Sequence, residues 1–479
     1  MAEKLAKKTF WNTLWSLFDT ILTKGVTFLI GIILARILSP SDFGLVGMML
    51  VFVALCDTFI ESGISNALIR KLDRNTIDFN TAFMCNIMMG IFAYAVLYYS
   101  SPFIANFYNE ESLEQLLKVF GINVLLISLS IVPNAIIISS FRIKDQVKVN
   151  FYANIIAGGL AIAAALNGFG VWALIIQTVT TNLVKTIGYH LLVKWRITFV
   201  FSKDSFRYLV NYGSKSLLIG LIGTLFYNLY NLLIGKFFTK SDLGYYTRAN
   251  QFGQFPVSIL QSAIQKVTVA TFSNLQYDKP HLKDVYRKYV HIISFIVFPS
   301  LFVISVLSKP IILFFLTKKW LDSIIILQIL CIGFAFSPLG ILNLCLLQAI
   351  NRIDYSLKLE IAKKAIYIVI ILISFPMGII PMVIGASFNN IVGTLMNLSC
   401  SKRFIDYFYF EQLKDMGGYL LLTLITSSIV YPLIVFTDIS NFLKLLVGCV
   451  AFSLIYLALC YVIKVKALKY VVELKTKVK

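Results

Sequence analysis

Cationic side chains interrupt several of the most apolar stretches of this chain. A charge in such a stretch is costly unless it has a partner or a function. Lysine and arginine are also the side chains that most often bind phosphate groups. We therefore predict a cationic substrate-binding cavity whose candidate residues are Lys24, Arg248, Lys215 and Lys266.

Structural explanations compete at these positions. Lys24 lies near the middle of its apolar run, where it could pair with Asp57 of another run or extend its long stem towards the interface. Lys215 lies near the end of its run, where such an extension is easy. Arg248 stands among polar neighbours, which favours the wall of a wet cavity.

Two carboxylates, Asp57 and Glu61, stand four residues apart and so share one face of a helix. They could pair with Lys24, bind a coupling cation or take up a proton. We treat them as candidates for coupling transport to Na⁺ or H⁺.

A further apolar run carries amide and hydroxyl groups at Tyr227, Asn228 and Asn231. Such groups can join neighbouring helices, and they can equally bind the hydroxyl groups of a sugar. Both interpretations stay open from the sequence, and the second makes these residues sugar-facing candidates.

The elements that must position these residues are membrane-spanning helices. The chain has 479 residues, 58% of them hydrophobic, and a mean hydropathy of +0.81, whereas a soluble domain is about 45–50% apolar. Many runs approach the roughly 20 residues that a helix needs to cross a bilayer. The sequence predicts an all-α polytopic membrane protein of about fourteen spans, at 14–37, 43–62, 79–101, 116–140, 150–167, 169–193, 213–237, 244–272, 289–315, 323–350, 357–376, 379–399, 418–437 and 442–463.

An internal repeat organises these spans. The segment Arg36–Gly44 returns as Lys236–Gly244 at an offset of 200 residues. Repeats of this kind frame the substrate site of many membrane carriers. We predict two parallel six-helix bundles at 1–197 and 198–400, followed by an extra helix pair and a basic cytoplasmic tail at 401–479.

The net charge of +20 reflects orientation rather than nucleic-acid binding. Most loop cations fall in one set of alternate loops, as expected for loops that face the cytoplasm. Both termini are therefore predicted to be cytoplasmic. Two basic segments, 194–212 and 277–289, are predicted to be amphipathic helices on the inner leaflet.

Catalytic and metal-binding motifs are absent from the sequence. It contains no Walker A loop, GxSxG or HExxH motif, and its seven cysteines show neither CxxC pairs nor zinc-ligand spacing. We expect a protein that is not an enzyme and that holds no metal or cofactor.

Several segments resemble those of a known family of exporters. Leu243–Pro256 resembles the LGxYxxAxxLxxLP signature of polysaccharide-exporting flippases, with Phe252 and Phe255 where leucine is usual. Phe272–Asp278, Leu38–Gly44 and Glu61–Arg70 resemble further segments of these proteins. The chain thus looks like a member of the polysaccharide (Wzx and teichuronic-acid type) branch of the multidrug/oligosaccharidyl-lipid/polysaccharide exporter superfamily.

This resemblance implies two helical bundles that open alternately to either side of the membrane. It also implies a cationic cavity lined by the first, second, seventh and eighth spans, and a substrate of undecaprenyl-pyrophosphate-linked oligosaccharide. The expected function is a flippase of the bacterial inner membrane that serves export of O-antigen, capsule or teichuronic acid. Its expected partners are membrane lipid and the polysaccharide polymerase machinery, with no nucleic acid.

Three alternatives stay open from the sequence. A cation-coupled drug antiporter of the same superfamily would need an acidic cavity, which the excess of cations disfavours. A membrane-embedded glycan polymerase or glycosyltransferase would be expected to carry a large outer loop. A scaffold that transports nothing is the third alternative.

Overall fold

The structure is a computed structural model that describes residues 21–470, apart from 62–67, 69–70, 72, 141 and 199. The side chains at 212, 214–216 and 353 also lie outside the described residues. Within these ranges the chain is almost entirely helical and contains no β-strand.

The helices follow the predicted apolar runs closely. In chain order they are α1 (21–37), α2 (Pro40–Glu61), α3 (Thr76–Tyr108), α4 (Ser112–Phe120), α5 (Ile122–Ser139), α6 (Ile143–Leu166), α7 (Trp172–Leu192), α8 (Lys203–Phe237), α9 (Lys240–Asn274), α10 (Lys279–Val306), α11 (Ser308–Phe315), α12 (Ser323–Phe334), α13 (Ser337–Ala349), α14 (Ile353–Ser374), α15 (Ile379–Ile405), α16 (Tyr409–Phe436) and α17 (Asn441–Val462).

Ten segments among the described residues are long and apolar enough to cross a membrane. This confirms an all-α multi-pass membrane protein, while the count of fourteen spans stays a prediction. The two shortest gaps between predicted spans, at 168 and at 377–378, coincide with breaks between helices. Gly168 and Gly170, with φ of +81° and +54°, separate α6 from α7, and Gly378, with φ of +106°, precedes α15. Such backbone conformations favour glycine because it has no Cβ.

The prediction of amphipathic surface helices at 194–212 and 277–289 was wrong. The Ser202 and Asp278 side chains cap the starts of α8 and α10, and each helix then runs on without a break into its apolar part. Within the second segment Leu282 and Tyr286 are buried. The charged residues from Lys203 and from Lys279 onwards are therefore the polar ends of long helices, whereas Lys194 and Arg196 lie between α7 and α8.

The chain divides into two compact units, Met1–Thr247 and Arg248–Lys479. In the first unit α8 packs along α2 and α3. The predicted domain boundary at 197/198 concerns the sequence repeat, and it stays a prediction.

In the second unit a buried polar cluster joins α10 to α16 and to the chain beyond α17. The Arg287 guanidinium donates a hydrogen bond of 3.0 Å to one Asp415 oxygen, and the Tyr407 hydroxyl donates one of 2.8 Å to the other. The Tyr419 hydroxyl accepts a hydrogen bond of 3.2 Å from the Ala467 N–H. The C-terminal helix pair is thus attached by specific polar contacts as well as by apolar packing.

Candidate functional site

The repeated segments form matching helix caps at the starts of α2 and α9. At the first, one Asp42 carboxylate oxygen accepts hydrogen bonds of 2.9 Å and 2.7 Å from the Ser39 N–H and hydroxyl. At the second, Asp242 accepts bonds of 3.1 Å and 2.7 Å from the Thr239 N–H and hydroxyl. Both are capping boxes, in which two residues three apart satisfy donors at a helix start. The repeat seen in the sequence is therefore also a repeat of local structure.

These two helix starts contact each other symmetrically. A Cβ placed on Gly44 would lie 1.8 Å from the Lys240 carbonyl oxygen, and one placed on Gly244 would lie 1.9 Å from the Pro40 carbonyl oxygen. The hydroxyls of Ser41 and Ser241 are 2.9 Å apart. We call Pro40–Gly44 together with Lys240–Gly244 the repeat contact. The two backbones can approach this closely only because residues 44 and 244 are both glycine.

Charged groups surround the repeat contact. Lys240 forms an ion pair of 2.9 Å with Glu110, which also accepts a hydrogen bond from Ser112. Burial raises the pKa of the Glu110 carboxyl, but the hydrogen bonds and the charge of Lys240 outweigh it, so this pKa lies below its ordinary value. Lys236 donates a hydrogen bond to the Phe107 carbonyl oxygen and stands 4.8 Å from the centre of its ring.

Further along α2 the packing continues through small and polar side chains. A Cβ on Gly47 would lie 3.1 Å from atoms of Leu243 and Thr247. The hydroxyls of Thr58, in α2, and Thr224, in α8, are 2.7 Å apart. The contact between α2 and its partners in the first unit is therefore close and apolar at Gly47, and polar at Thr58.

The predicted carboxylates are near Thr58 in sequence, with Asp57 next to it and Glu61 three residues after it. The Oδ1 atom of Asp57 is buried and accepts no hydrogen bond from the residues that the structure describes. Glu61, one turn further on, is exposed. Lys24 of α1 is partly buried and forms no ion pair with Asp57, so the pairing suggested from the sequence is absent from the described part of the chain.

The other predicted cations lie on α8 and α9. Arg248 is buried, with 5% of its surface exposed, and donates a hydrogen bond to Gln251 on its own helix. Lys266 is partly buried in α9. The backbone of Lys215 lies in α8, and its side chain falls outside the described residues. The structure therefore places Lys24 in one compact unit and Arg248 and Lys266 in the other.

The polar face of α8 divides into two parts. Asn228 is buried and donates 3.0 Å to the Thr224 carbonyl oxygen, and Asn231 donates 3.3 Å to the Asn228 side chain. Tyr227 is 72% exposed. The two amides are thus engaged along their own helix, and the tyrosine is accessible. The assignment of all three to sugar binding stays a prediction.

Sequence reasoning missed that the repeated segments contact each other, and it missed the Glu110–Lys240 ion pair. The repeat itself was the available signal, because equivalent segments of a duplicated chain often meet about a common axis. The chain carries three glutamates at 110, 111 and 114, and their spacing alone does not show which of them pairs with a lysine.

Comparison with known proteins identifies the family. The family described as polysaccharide biosynthesis protein matches residues 33–325, more than half of the chain.

The chain belongs to this family.

Relatives in the polysaccharide biosynthesis family come from distant bacteria. The lipopolysaccharide biosynthesis protein WzxC of Escherichia coli (strain K12) is 25% identical over 428 residues, covering 86% of this chain and 82% of WzxC. The teichuronic acid biosynthesis protein TuaB of Bacillus subtilis (strain 168) is 26% identical over 57% of each chain. The succinoglycan biosynthesis transport protein ExoT of Rhizobium meliloti (strain 1021) is 24% identical over 66% of this chain and 64% of ExoT. The resemblance inferred from the sequence motifs is confirmed.

Solved structures show the same fold. The lipid II flippase MurJ in an inward closed conformation matches with a TM-score of 0.76 over 95% of this chain and 98% of MurJ, at 15% sequence identity. An inward-facing multidrug resistance MATE family transporter matches with a TM-score of 0.59 over 82% of this chain and 94% of the transporter, at 19% identity. This member of the polysaccharide biosynthesis family therefore has a transporter fold.

Proposed function

We propose that the protein is a flippase that moves undecaprenyl-pyrophosphate-linked oligosaccharide across the bacterial inner membrane by alternating access. Membership of the polysaccharide biosynthesis family and the transporter fold support this proposal. The observation that carries it is the symmetric repeat contact, which meets the needs of a closing element. The product would serve export of a surface polysaccharide such as O-antigen, capsule or teichuronic acid, with the polymerase machinery as a partner.

The repeat contact suits a gate because it is tight but has few interactions to break. Its close backbone approach excludes a polar headgroup, while one hydroxyl pair and one partly exposed ion pair each contribute little free energy. The distribution of loop cations predicts that both termini are cytoplasmic. In that orientation the repeat contact lies at the outer end of the spans. We propose that it seals the outer side until the substrate has entered from the inner leaflet.

Within the transport path, Lys24, Arg248, Lys215 and Lys266 would hold the pyrophosphate, and the polar side chains of α8 would meet the sugars. The partial burial of Lys24 without an ion pair to Asp57 supports its availability. Lys24→Ala and Arg248→Ala are expected to lose translocation while the protein stays folded. Unchanged translocation in both would remove these cations from the proposed site.

For energy coupling we propose Asp57 together with Glu61. A buried carboxylate oxygen without a donor is a natural site for a proton or a cation. Translocation by Asp57→Asn is therefore expected to lose its dependence on a proton or sodium gradient. A gradient dependence equal to that of wild type would exclude Asp57 as the coupling group.

The proposed gate is tested by cross-linking it. Ser41→Cys with Ser241→Cys places two thiols where hydroxyls now stand 2.9 Å apart, a separation that a disulfide can bridge. In proteoliposomes that contain an undecaprenyl-pyrophosphate oligosaccharide, oxidation is expected to abolish translocation and reduction to restore it. Each single cysteine variant, treated identically, serves as the control.

Two outcomes would count against the proposal. Full translocation by the cross-linked protein would show that the repeat contact is not a gate. Reversible block of drug efflux, with no lipid translocation by the reduced protein, would favour the drug antiporter.

A further inference from the structure

A cavity of about 610 Å³ lies in the first unit, away from the repeat contact. It lies between the start of α3, the end of α5, the start of α6 and the segment that follows α7. Successive spans run in opposite directions, so these four ends lie on the same side of the membrane. Its lining residues are Thr76, Phe79, Ile136, Ile137, Ser140, Arg142, Val193, Lys194, Trp195, Arg196 and Thr198.

Three of the lining side chains are cationic. Arg142 is fixed in place by an ion pair of 2.7 Å with Asp145 and a hydrogen bond of 2.9 Å to the Leu192 carbonyl oxygen. Lys194 and Arg196 are exposed, and neither forms an ion pair with any residue in the described part of the chain. No carboxylate is among the lining residues. The cavity therefore carries two positive charges that no described carboxylate pairs with.

Other lining side chains are apolar, and two more can donate hydrogen bonds. Phe79, Ile136 and Val193 give the lining its aliphatic and aromatic surface, called the apolar wall below. The hydroxyl of Thr198 accepts a hydrogen bond from the Asn80 amide, so its own proton is available for another acceptor. Trp195 packs against Phe83 with ring centres 5.3 Å apart, as expected of an indole at a membrane interface.

We propose that this cavity binds the phosphate-bearing headgroup of an anionic phospholipid of the leaflet at this end. A volume of this size is typical of small-ligand sites, and basic pockets between span ends are suited to anionic headgroups. The cations would pair with the phosphodiester, and the apolar wall would contact the glycerol and the first methylenes of the acyl chains. A free phosphate would use only the cations, so the apolar wall favours the lipid. By the distribution of loop cations, this leaflet is the cytoplasmic one.

The test measures lipid retention by the full chain. The protein is purified from detergent micelles that contain phosphatidylglycerol or phosphatidylcholine, and bound lipid is counted by native mass spectrometry. Wild type is expected to retain phosphatidylglycerol and not phosphatidylcholine. Lys194→Gln with Arg196→Gln is expected to weaken retention about thirtyfold, since each cation near a lipid surface contributes roughly 1 kcal/mol.

A matched control removes the same charge at the same end of the bundle. Lys203→Gln with Arg207→Gln alters two exposed cations that do not line the cavity, and it is expected to retain lipid as wild type does. Equal losses in both double variants would show a diffuse charge effect and overturn the site. Displacement of phosphatidylglycerol by millimolar inorganic phosphate would identify a soluble anion site instead and overturn the lipid assignment.

Discussion

At the scale of single residues, the repeat contact depends on two glycines. Gly44→Ala would add a methyl group 1.8 Å from the Lys240 carbonyl oxygen, and backbone cannot move aside as a side chain can. Overpacking of this kind typically costs about 1–3 kcal/mol. We expect Gly44→Ala to slow disulfide formation between Ser41→Cys and Ser241→Cys by about tenfold.

The matched control is Gly159→Ala in α6, where an added Cβ meets no atom within 4 Å. In the interior of a helix this substitution alone is expected to stabilise slightly. Its cross-linking rate should therefore equal that of the parent double-cysteine protein. If Gly44→Ala also cross-linked at the parent rate, close backbone approach would have no role in closure.

At the scale of elements, the ion pair between Glu110 and Lys240 joins the loop after α3 to the start of α9. Both side chains are partly exposed, so the pair is expected to contribute under about 1 kcal/mol and to weaken in salt. Glu110→Gln is expected to lower the cross-linking rate of the repeat contact by at most about fivefold in dilute salt. The cross-linking rates with and without Glu110→Gln should become equal near 1 M NaCl. A difference in rate that persisted there would contradict an ionic origin.

The pH dependence of this contact follows from the direction of the pKa shift. The pKa of Glu110 is lower in the folded protein, so its stabilisation is complete above the ordinary glutamate pKa of about 4.3 and is lost only as the pH falls through the lower folded value. Closure is therefore expected to be constant between pH 5 and 8. Distances between spin labels on α3 and α9 would measure it without relying on thiol chemistry.

The helices themselves could be predicted from sequence because each span is a continuous apolar run with recognisable ends. The segments Asn167–Gly168 and Pro376–Gly378 indicate breaks between spans, and in the structure a helix ends at each of them. The contacts between helices could not be predicted, since any glycine in an apolar run looks alike until a facing backbone is known. Gly44 and Gly159 illustrate the difference, because only the first meets a neighbour. Because contacts between helices cannot be read from the sequence, it also suggests an ion pair between Lys24 and Asp57 that the described part of the structure does not contain.

At the scale of the whole molecule, the C-terminal helix pair had been predicted only as an addition to the repeat. The structure instead ties it to α10 through Asp415, whose side chain is 5% exposed and receives hydrogen bonds from Arg287 and Tyr407. A buried acid with two donors from other segments is a specific attachment point. The pair is thus expected to be required for the stability of the second unit.

Replacing Asp415 by asparagine tests this attachment. It removes the negative charge and leaves the Arg287 guanidinium without its partner in a site where only a third of its side chain is exposed. Breaking a buried pair from one side costs about 3–5 kcal/mol, and somewhat less is expected here because Arg287 retains some contact with water. A clear fall in the melting temperature in detergent is expected.

Glu360→Gln, which breaks the exposed Lys363–Glu360 pair on α14, should leave the melting temperature nearly unchanged. Since a well-packed apolar pair can replace a buried ion pair, Arg287→Met with Asp415→Leu should recover much of the loss. If the double variant were no more stable than Asp415→Asn, an unpaired charge would not be the cause of the loss.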